Sequence, residues 1–236
     1  EPAWVEGALN DDWRCKMKDC DVLLHLAAHS TNVPYDTLEN CIYWNVTASL
    51  ELFQSALEAG ITKFLIAGTC FEYGESGEKF TKIPPDAPLL PTMSYPASKA
   101  AASIVFHQWA VENVIRLQYL RIFQVFGEGE NKNRLWPSLK RAAFAGEDVD
   151  LTEGGQIRDF IPVYEAANQF LKALNFEGVE CGKPLFNNLG SGKPQSIKCF
   201  AEFWWKKWDA NGNLNFGSIP YRKNEIMSYI PLISAK

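Results

Sequence analysis

From Asp21 to Ala28 the chain runs almost without a break through apolar residues (DVLLHLAA) between polar flanks. A short continuous run of this kind predicts a strand buried on both faces, as in a parallel sheet. From Asn45 the period changes. Val46, Leu50, Phe53 and Leu57 fall on one helical stripe, and Gly60 stands where such a helix would stop. Residues 63–67 (KFLIA) return to a strand, residues 94–113 predict a helix carrying Ile104, Val105, Trp109 and Val111, and residues 115–123 (IRLQYLRIF) read as the next strand. Residues 134–145 read as a helix interrupted early by Pro137 and stopped near Gly146.

After about residue 125 the pattern loosens around Gly127, Gly129, Gly154 and Gly155. It resumes with residues 160–163, a helical stretch over 164–174 and a strand over 185–189. Ser196 is then an N-cap candidate for a Trp-rich helix over 197–208. Alternating strands and helices predict a doubly wound α/β fold, whose ligands bind at the carboxyl ends of parallel strands. Ala27, Ala28, His29 and the pair Gly68-Thr69 fall at such ends.

Composition narrows the picture. The 236 residues are 47% hydrophobic and 22% charged, enough for one large or two modest cores. A formal charge of −5 and no run of basic residues argue against a nucleic-acid surface. No apolar stretch approaches the roughly 18 residues of a membrane span, and the N-terminus lacks the plan of a signal peptide, so a cytoplasmic location is the default expectation. The six cysteines show no Cys-x-x-Cys spacing and read as reduced thiols, with neither zinc nor disulfides expected.

Candidate chemistry centres on Ser94-Tyr95-Pro96-Ala97-Ser98-Lys99, with Thr69 upstream in Gly68-Thr69-Cys70-Phe71-Glu72-Tyr73-Gly74. Residues four apart share a helical face, so the Lys99 ammonium can sit beneath the Tyr95 phenol. A unit charge about 4 Å from a phenolate, at an effective dielectric of about 20, stabilises it by roughly 4 kcal/mol. That is about what a phenol needs to act as a base near neutral pH. By itself the pair reads equally well as a tyrosine at a helix start followed by a solvated lysine.

The ordered set decides more than the pair. A strand closing on His25-Leu26-Ala27-Ala28, then Asn45-Val46, Thr69 to Gly74, Tyr95 to Lys99, Leu120-Arg121 to Gly127, and Arg158-Asp159-Phe160 resembles the extended short-chain dehydrogenase/reductase family. These are the NAD-dependent epimerases and dehydratases of nucleotide-sugars. The resemblance covers about Val5 to Tyr229. It implies a Rossmann-like doubly wound parallel sheet and a smaller, irregular C-terminal substrate-binding part. Residues 1–125 would form a partial NAD(P)-binding domain with the catalytic residues, and 126–236 mainly the nucleotide-sugar part, interleaved with the first.

The resemblance also implies roles. Tyr95 would be the acid/base, Lys99 would hold the nicotinamide ribose and favour the phenolate together with the cationic nicotinamide, and Thr69 would bind the sugar hydroxyl. Ala27, Ala28, His29 and Phe123 would line the cofactor, NAD or NADP. Arg158 and Arg222 resemble the family's pyrophosphate contacts, a task suited to the guanidinium fork. The alternative for each is an arginine in an ion pair. Gln124 stands where many relatives carry an Asn that contacts sugar or phosphate. Residues 188–192 resemble a structural turn, and His25 and His107 read as packing or surface histidines. Relatives usually form homodimers through helices matching residues 45–59 and 94–113.

The implied reaction is nucleotide-sugar epimerisation at C4. The alternatives, in order, are an NADPH-dependent 4-keto-sugar reductase, a 4,6-dehydratase and a non-catalytic nucleotide-binding protein. Dehydratases resemble Thr-Asp-Glu at the hydroxyl motif, where this chain has Thr69-Cys70-Phe71. The chain departs from the family in having no Gly-x-x-Gly-x-x-Gly loop, Gly7-Ala8 where relatives often show Gly-Asp, and an end at Lys236 before the usual last helix. A fragment with part of its cofactor half-site is therefore expected. Residues 1–236 should accordingly bind NAD weakly, and calorimetry giving a micromolar Kd would overturn that expectation.

Overall fold

The computed structural model describes residues 3–222 and 225–233. Along the chain run α1 (Arg14–Met17), β1 (Leu23–His25), α2 (Leu38–Ile42), α3 (Ala48–Glu58), β2 (Lys63–Thr69), α4 (Ser94–Glu112) and β3 (Arg116–Ile122). They are followed by β4 (Gln124–Phe126), α5 (Leu135–Ala145), β5 (Val149–Leu151), β6 (Ile157–Pro162), α6 (Val163–Ala173) and β7 (Leu185–Leu189). The last elements are β8 (Pro194–Ser196), α7 (Ile197–Lys207), β9 (Leu214–Phe216) and β10 (Ser228–Tyr229). The chain end at Lys236 lies outside the described residues.

The chain divides into two compact units that interleave in sequence. One comprises the chain up to Gly74 with Pro88–Arg121 and Phe170–Asn187. The other comprises Glu75–Ala87, Ile122–Gln169 and the chain from Asn188.

The first unit is built on a sheet in the order β1-β2-β3-β7, with β1 and β2 parallel. This is the α/β, Rossmann-like arrangement expected from the alternation of periods. Its core joins Phe53, Phe64, Phe106, Ile66, Leu117 and Tyr119. Phe53 is fully buried and meets Phe64, Phe106 and Trp109 at ring-centroid distances of 5.6, 4.8 and 5.6 Å.

Four expectations need correction. The first strand is only Leu23–His25, and it is not buried on both faces, since Leu24 and Leu26 are exposed. Among the described residues it pairs with β2 alone, and by His29 the backbone has left the ladder: the side-chain amide of Asn45 accepts from the His29 N–H at 2.7 Å and donates to its carbonyl at 3.2 Å. The following helix begins at Leu38, not Asn45. Thr37 caps it by accepting the Asn40 N–H, and a π-helical turn over Tyr43–Thr47 then shifts the register. The stripe of α3 is consequently out of phase with α2, which hid the first turns.

In α4, Ile104 and Val111 are exposed, and the buried face is Tyr95, Lys99, Ala102, Phe106 and Ala110. Those positions follow the helical repeat, but two carry polar groups. Pro137 does not interrupt α5, because it lies within the first turn, where an N–H has no intrahelical partner to lose. Gly146 does end it, in the left-handed conformation with φ 68°.

The second unit pairs β6 with β4 and β10 in parallel and with β8 antiparallel. Its core packs α5 on α7 through Leu139, Ala142, Ala201 and Trp205. Ser196 caps α7 by accepting the Cys199 N–H at 3.0 Å.

Because Phe53 joins most of the aromatic core of the first unit, Phe53→Ala should lower its stability by about 3–5 kcal/mol. Urea unfolding followed by tryptophan fluorescence measures this, and a loss near zero would contradict the packing.

Candidate active site

The end of β2 and the first turns of α4 bring three side chains into one neighbourhood. Thr69 is the last residue of β2, Tyr95 opens α4, and Lys99 follows one turn later. Lys99 is 2% exposed, and its Nζ donates to the Ala67 carbonyl at 2.9 Å, which ties α4 to the C-terminal end of β2. Burial lowers the Lys99 pKa, and the Glu72 carboxylate opposes that shift. An ammonium has three donors, and Ala67 uses one, so two remain for a ligand. That donor set fits the adjacent hydroxyls of a ribose.

Tyr95 is 7% exposed, and its ring lies 5.4 Å from that of Tyr35. The Tyr95 carbonyl accepts from Ser98 Oγ at 2.8 Å, and Ser98 Oγ accepts from Asn45 Nδ2 at 2.9 Å. Asn45 thus connects His29 to the first turn of α4. Pattern reading placed Asn45 at a helix start. The structure places it inside the π-helical turn, a device that turns a side chain inward at a local cost.

Thr69 Oγ1 accepts the Phe71 N–H at 3.3 Å, which leaves its O–H proton available to a ligand. The carboxylate of Glu72 closes the reciprocal half of this capping box by accepting the Thr69 N–H at 2.8 Å. Ala27 and Ala28 are exposed just beyond β1. His29 Nε2 meets Asp36 Oδ2 at 2.7 Å, and that hydrogen bond is the main reason the Asp36 carboxyl titrates below its ordinary range.

The other sequence candidates lie in the second unit. Phe123 is buried, and its N–H donates to the Leu189 carbonyl at 2.9 Å. Gln124 and Arg158 line a cavity of about 150 Å³, together with Glu130, Arg134, Trp136, Phe160 and Phe200. Arg158 donates to Glu225 Oε1 at 3.1 Å and to the Ile226 carbonyl at 2.7 Å. Its ion pair is thus present, and the side chain still reaches the cavity wall. Arg222 is exposed and is not among the cavity's residues.

Sequence reading missed Glu130, Arg134 and Trp136 at this cavity. Glu130 Oε2 and Trp136 Nε1 are buried without a hydrogen-bond partner, and burial raises the Glu130 pKa. The cluster Glu128, Glu130 and Arg134 beside Gln124 was its only trace in sequence. Among the described residues no group of His, Cys, Asp or Glu could hold a metal ion, and no helix is long and apolar enough to cross a membrane. All six cysteines are free thiols.

The sequence model of the NAD dependent epimerase/dehydratase family matches residues 5–185. The chain belongs to this family. Similar curated proteins include the UDP-glucose 4-epimerase of Corynebacterium glutamicum, 29% identical over 217 residues that make up 84% of this chain and 64% of the relative. The UDP-glucose 4-epimerase of Halalkalibacterium halodurans is 30% identical over 202 residues, 75% of this chain and 58% of that one. The chain therefore spans less than two thirds of the length of these relatives. Among solved structures, the UDP-N-acetylglucosamine 4-epimerase of Methanobrevibacter ruminantium in complex with UDP-N-acetylmuramic acid superposes with a TM-score of 0.86. It is 25% identical and covers 98% of this chain and 74% of its own. Membership in the epimerase/dehydratase family agrees with the fold and with the grouping of Thr69, Tyr95 and Lys99.

One base of this neighbourhood yields a pH prediction. His25 is buried, shares a hydrogen bond with Ser49 Oγ at 3.2 Å, and has its pKa lowered to about 3 by burial and then by the Lys99 charge. The unfolded chain binds a proton at His25 near pH 6.5 and the folded one near 3, so stability should fall as pH drops through that window. The contribution is at most about 5 kcal/mol. His25→Gln should flatten that part of the urea-midpoint profile, and an unchanged slope would show that His25 is protonated in the fold.

Proposed function

We propose that this family member is a nicotinamide-dependent nucleotide-sugar epimerase acting at C4 of the sugar. The observation that carries the reading is the buried Lys99, bonded to Ala67 at the end of β2, with Tyr95 one turn before it and Thr69 at the strand end. Tyr95 takes the proton from the sugar 4-hydroxyl and returns it, which requires the phenol within hydrogen-bond reach of that group. Thr69 donates to the same hydroxyl and holds it in place. Lys99 favours the phenolate and supplies its free N–H groups to ribose hydroxyls, while Ala27, Ala28 and His29 line the cofactor. The nicotinamide, NAD or NADP, supplies the hydride acceptor and donor when bound.

The relatives support the substrate class, being named for UDP-sugars. In the second unit, Gln124 and Arg158 provide polar groups suited to phosphate oxygens, and we assign Arg222 the same role. Elimination of water is disfavoured, because Cys70, which is buried, and Phe71 follow Thr69 where a dehydratase needs two carboxyl groups. The exposed Ile104 and Val111 of α4 support a homodimer built on that helix.

The test is incubation of the full-length protein with a panel of nucleotide-sugars and both cofactors, followed by chromatography and mass measurement. Unchanged mass with altered retention is the expected result. A gain of two hydrogens would make the protein a 4-keto-sugar reductase, and a loss of water a dehydratase. Tyr95→Phe should lower turnover by about 100-fold or more while nucleotide-sugar binding persists, and wild-type turnover in that variant would remove Tyr95 from the chemistry.

A further inference from the structure

Glu72 is fully buried and bonded by donors from two strands. Its Oε1 accepts the Thr69 N–H and the Tyr119 hydroxyl, each at 2.8 Å, and its Oε2 accepts Arg121 Nε at 2.7 Å. Arg121 is itself buried, donates to the Tyr73 hydroxyl at 3.3 Å, and lies over the Tyr73 ring at 5.0 Å. Gly68 makes the arrangement possible, because a Cβ there would come within 2.1 Å of the Tyr119 ring and 2.8 Å of Glu72 Oε1.

All of this caps a 3-10 turn of four residues, Cys70–Tyr73. A neutral Gln would cap such a turn equally well. Well-packed apolar residues of similar volume in place of a buried ion pair are often neutral or stabilising. Stability therefore does not account for a buried carboxylate held by three donors from β2 and β3. The capped turn holds Thr69 from both sides, its N–H by Glu72 and its hydroxyl oxygen by the Phe71 N–H, and the Arg121 bond to Oε2 fixes the carboxylate that does so.

We propose that Glu72, braced by Arg121, is a positioning residue for the reaction, holding Thr69 so that its hydroxyl meets the sugar 4-hydroxyl. The assignment rests on the epimerase reading above. The Glu72 charge also opposes the lowering of the Lys99 pKa by burial.

The test pairs activity with a measurement that needs none. Removing Glu72 alone takes the carboxylate away from a buried Arg121, so the deciding variant is Glu72→Leu, which cannot accept the Thr69 N–H, with Arg121→Met in the full-length protein. A second variant, Glu72→Asp, keeps the pair but withdraws the carboxylate by one methylene. In both, amide hydrogen exchange at Thr69 should accelerate by about 10-fold or more relative to Leu65 in the same strand. In both, kcat should fall, by roughly 100-fold in the doubly substituted protein, the scale expected for a small misplacement near reacting groups. Adding Thr69→Ala should cause no further loss, and calorimetric binding of UDP should stay within about twofold of wild type. A merely structural role would lower Tm while the kcat losses multiplied with that of Thr69→Ala, and this or unchanged Thr69 exchange would overturn the proposal. If the wild-type protein turns over none of the nucleotide-sugars, the epimerase reading fails, and the exchange result alone decides whether Glu72 holds Thr69.

Discussion

A carboxylate without access to water must be matched by donors, and Glu72 is matched by the Thr69 N–H, the Tyr119 hydroxyl and the Arg121 guanidinium. Much of the first unit is arranged around that requirement. Leaving either charge unpaired would cost several kcal/mol, so the pair fixes where the end of β2 can lie against β3. The same desolvation raises the Tyr73 pKa to about 12, and raises that of Tyr119 well above the ordinary phenol value. Both phenols thus stay protonated, with Tyr119 donating to Glu72 and Tyr73 accepting from Arg121.

Burial acts on neighbouring bases in one direction. His25 is held neutral, and the Lys99 pKa is lowered, with each burial effect reinforced or opposed by the nearest charge. A neutral His25 beneath Lys99 avoids placing two cations in one desolvated space. Asn45 completes the polar lining by bonding both the His29 backbone and Ser98. Its amide does for the irregular chain after β1 what a neighbouring strand would do for a regular one.

The second unit solves a different problem. Aromatic rings of Phe126, Phe160, Phe200 and Trp204 stack and meet edge-on, with Phe160 and Phe200 centroids 3.9 Å apart. They form an apolar wall behind a cavity whose polar members are Gln124, Glu130, Arg134 and Arg158. Polar groups against an apolar wall interact more strongly than they would in water, and this favours charged oxygens in the cavity. Arg158 is held by Glu225 and the Ile226 carbonyl, so its orientation is set before any ligand arrives.

The α/β class, the span of β7, the capped α7, and the placing of Thr69 at a strand end with Tyr95 and Lys99 one helical turn apart were legible in the chain, because hydrophobic period, caps and motif spacing are local properties. Helix α2 was not legible, because the π-helical turn put its stripe out of phase with α3. The exposed face of β1 was not legible either, since a run of apolar residues does not state how many neighbours a strand has. Glu72 and Arg121 look like ordinary charged residues in sequence, separated by 49 positions. Sequence alone determined which titratable side chains the chain carries and where they fall along it. Tertiary structure decided which of them are dry: desolvation in a low-dielectric interior lowers the Lys99 pKa and leaves Glu72 to be matched by Arg121.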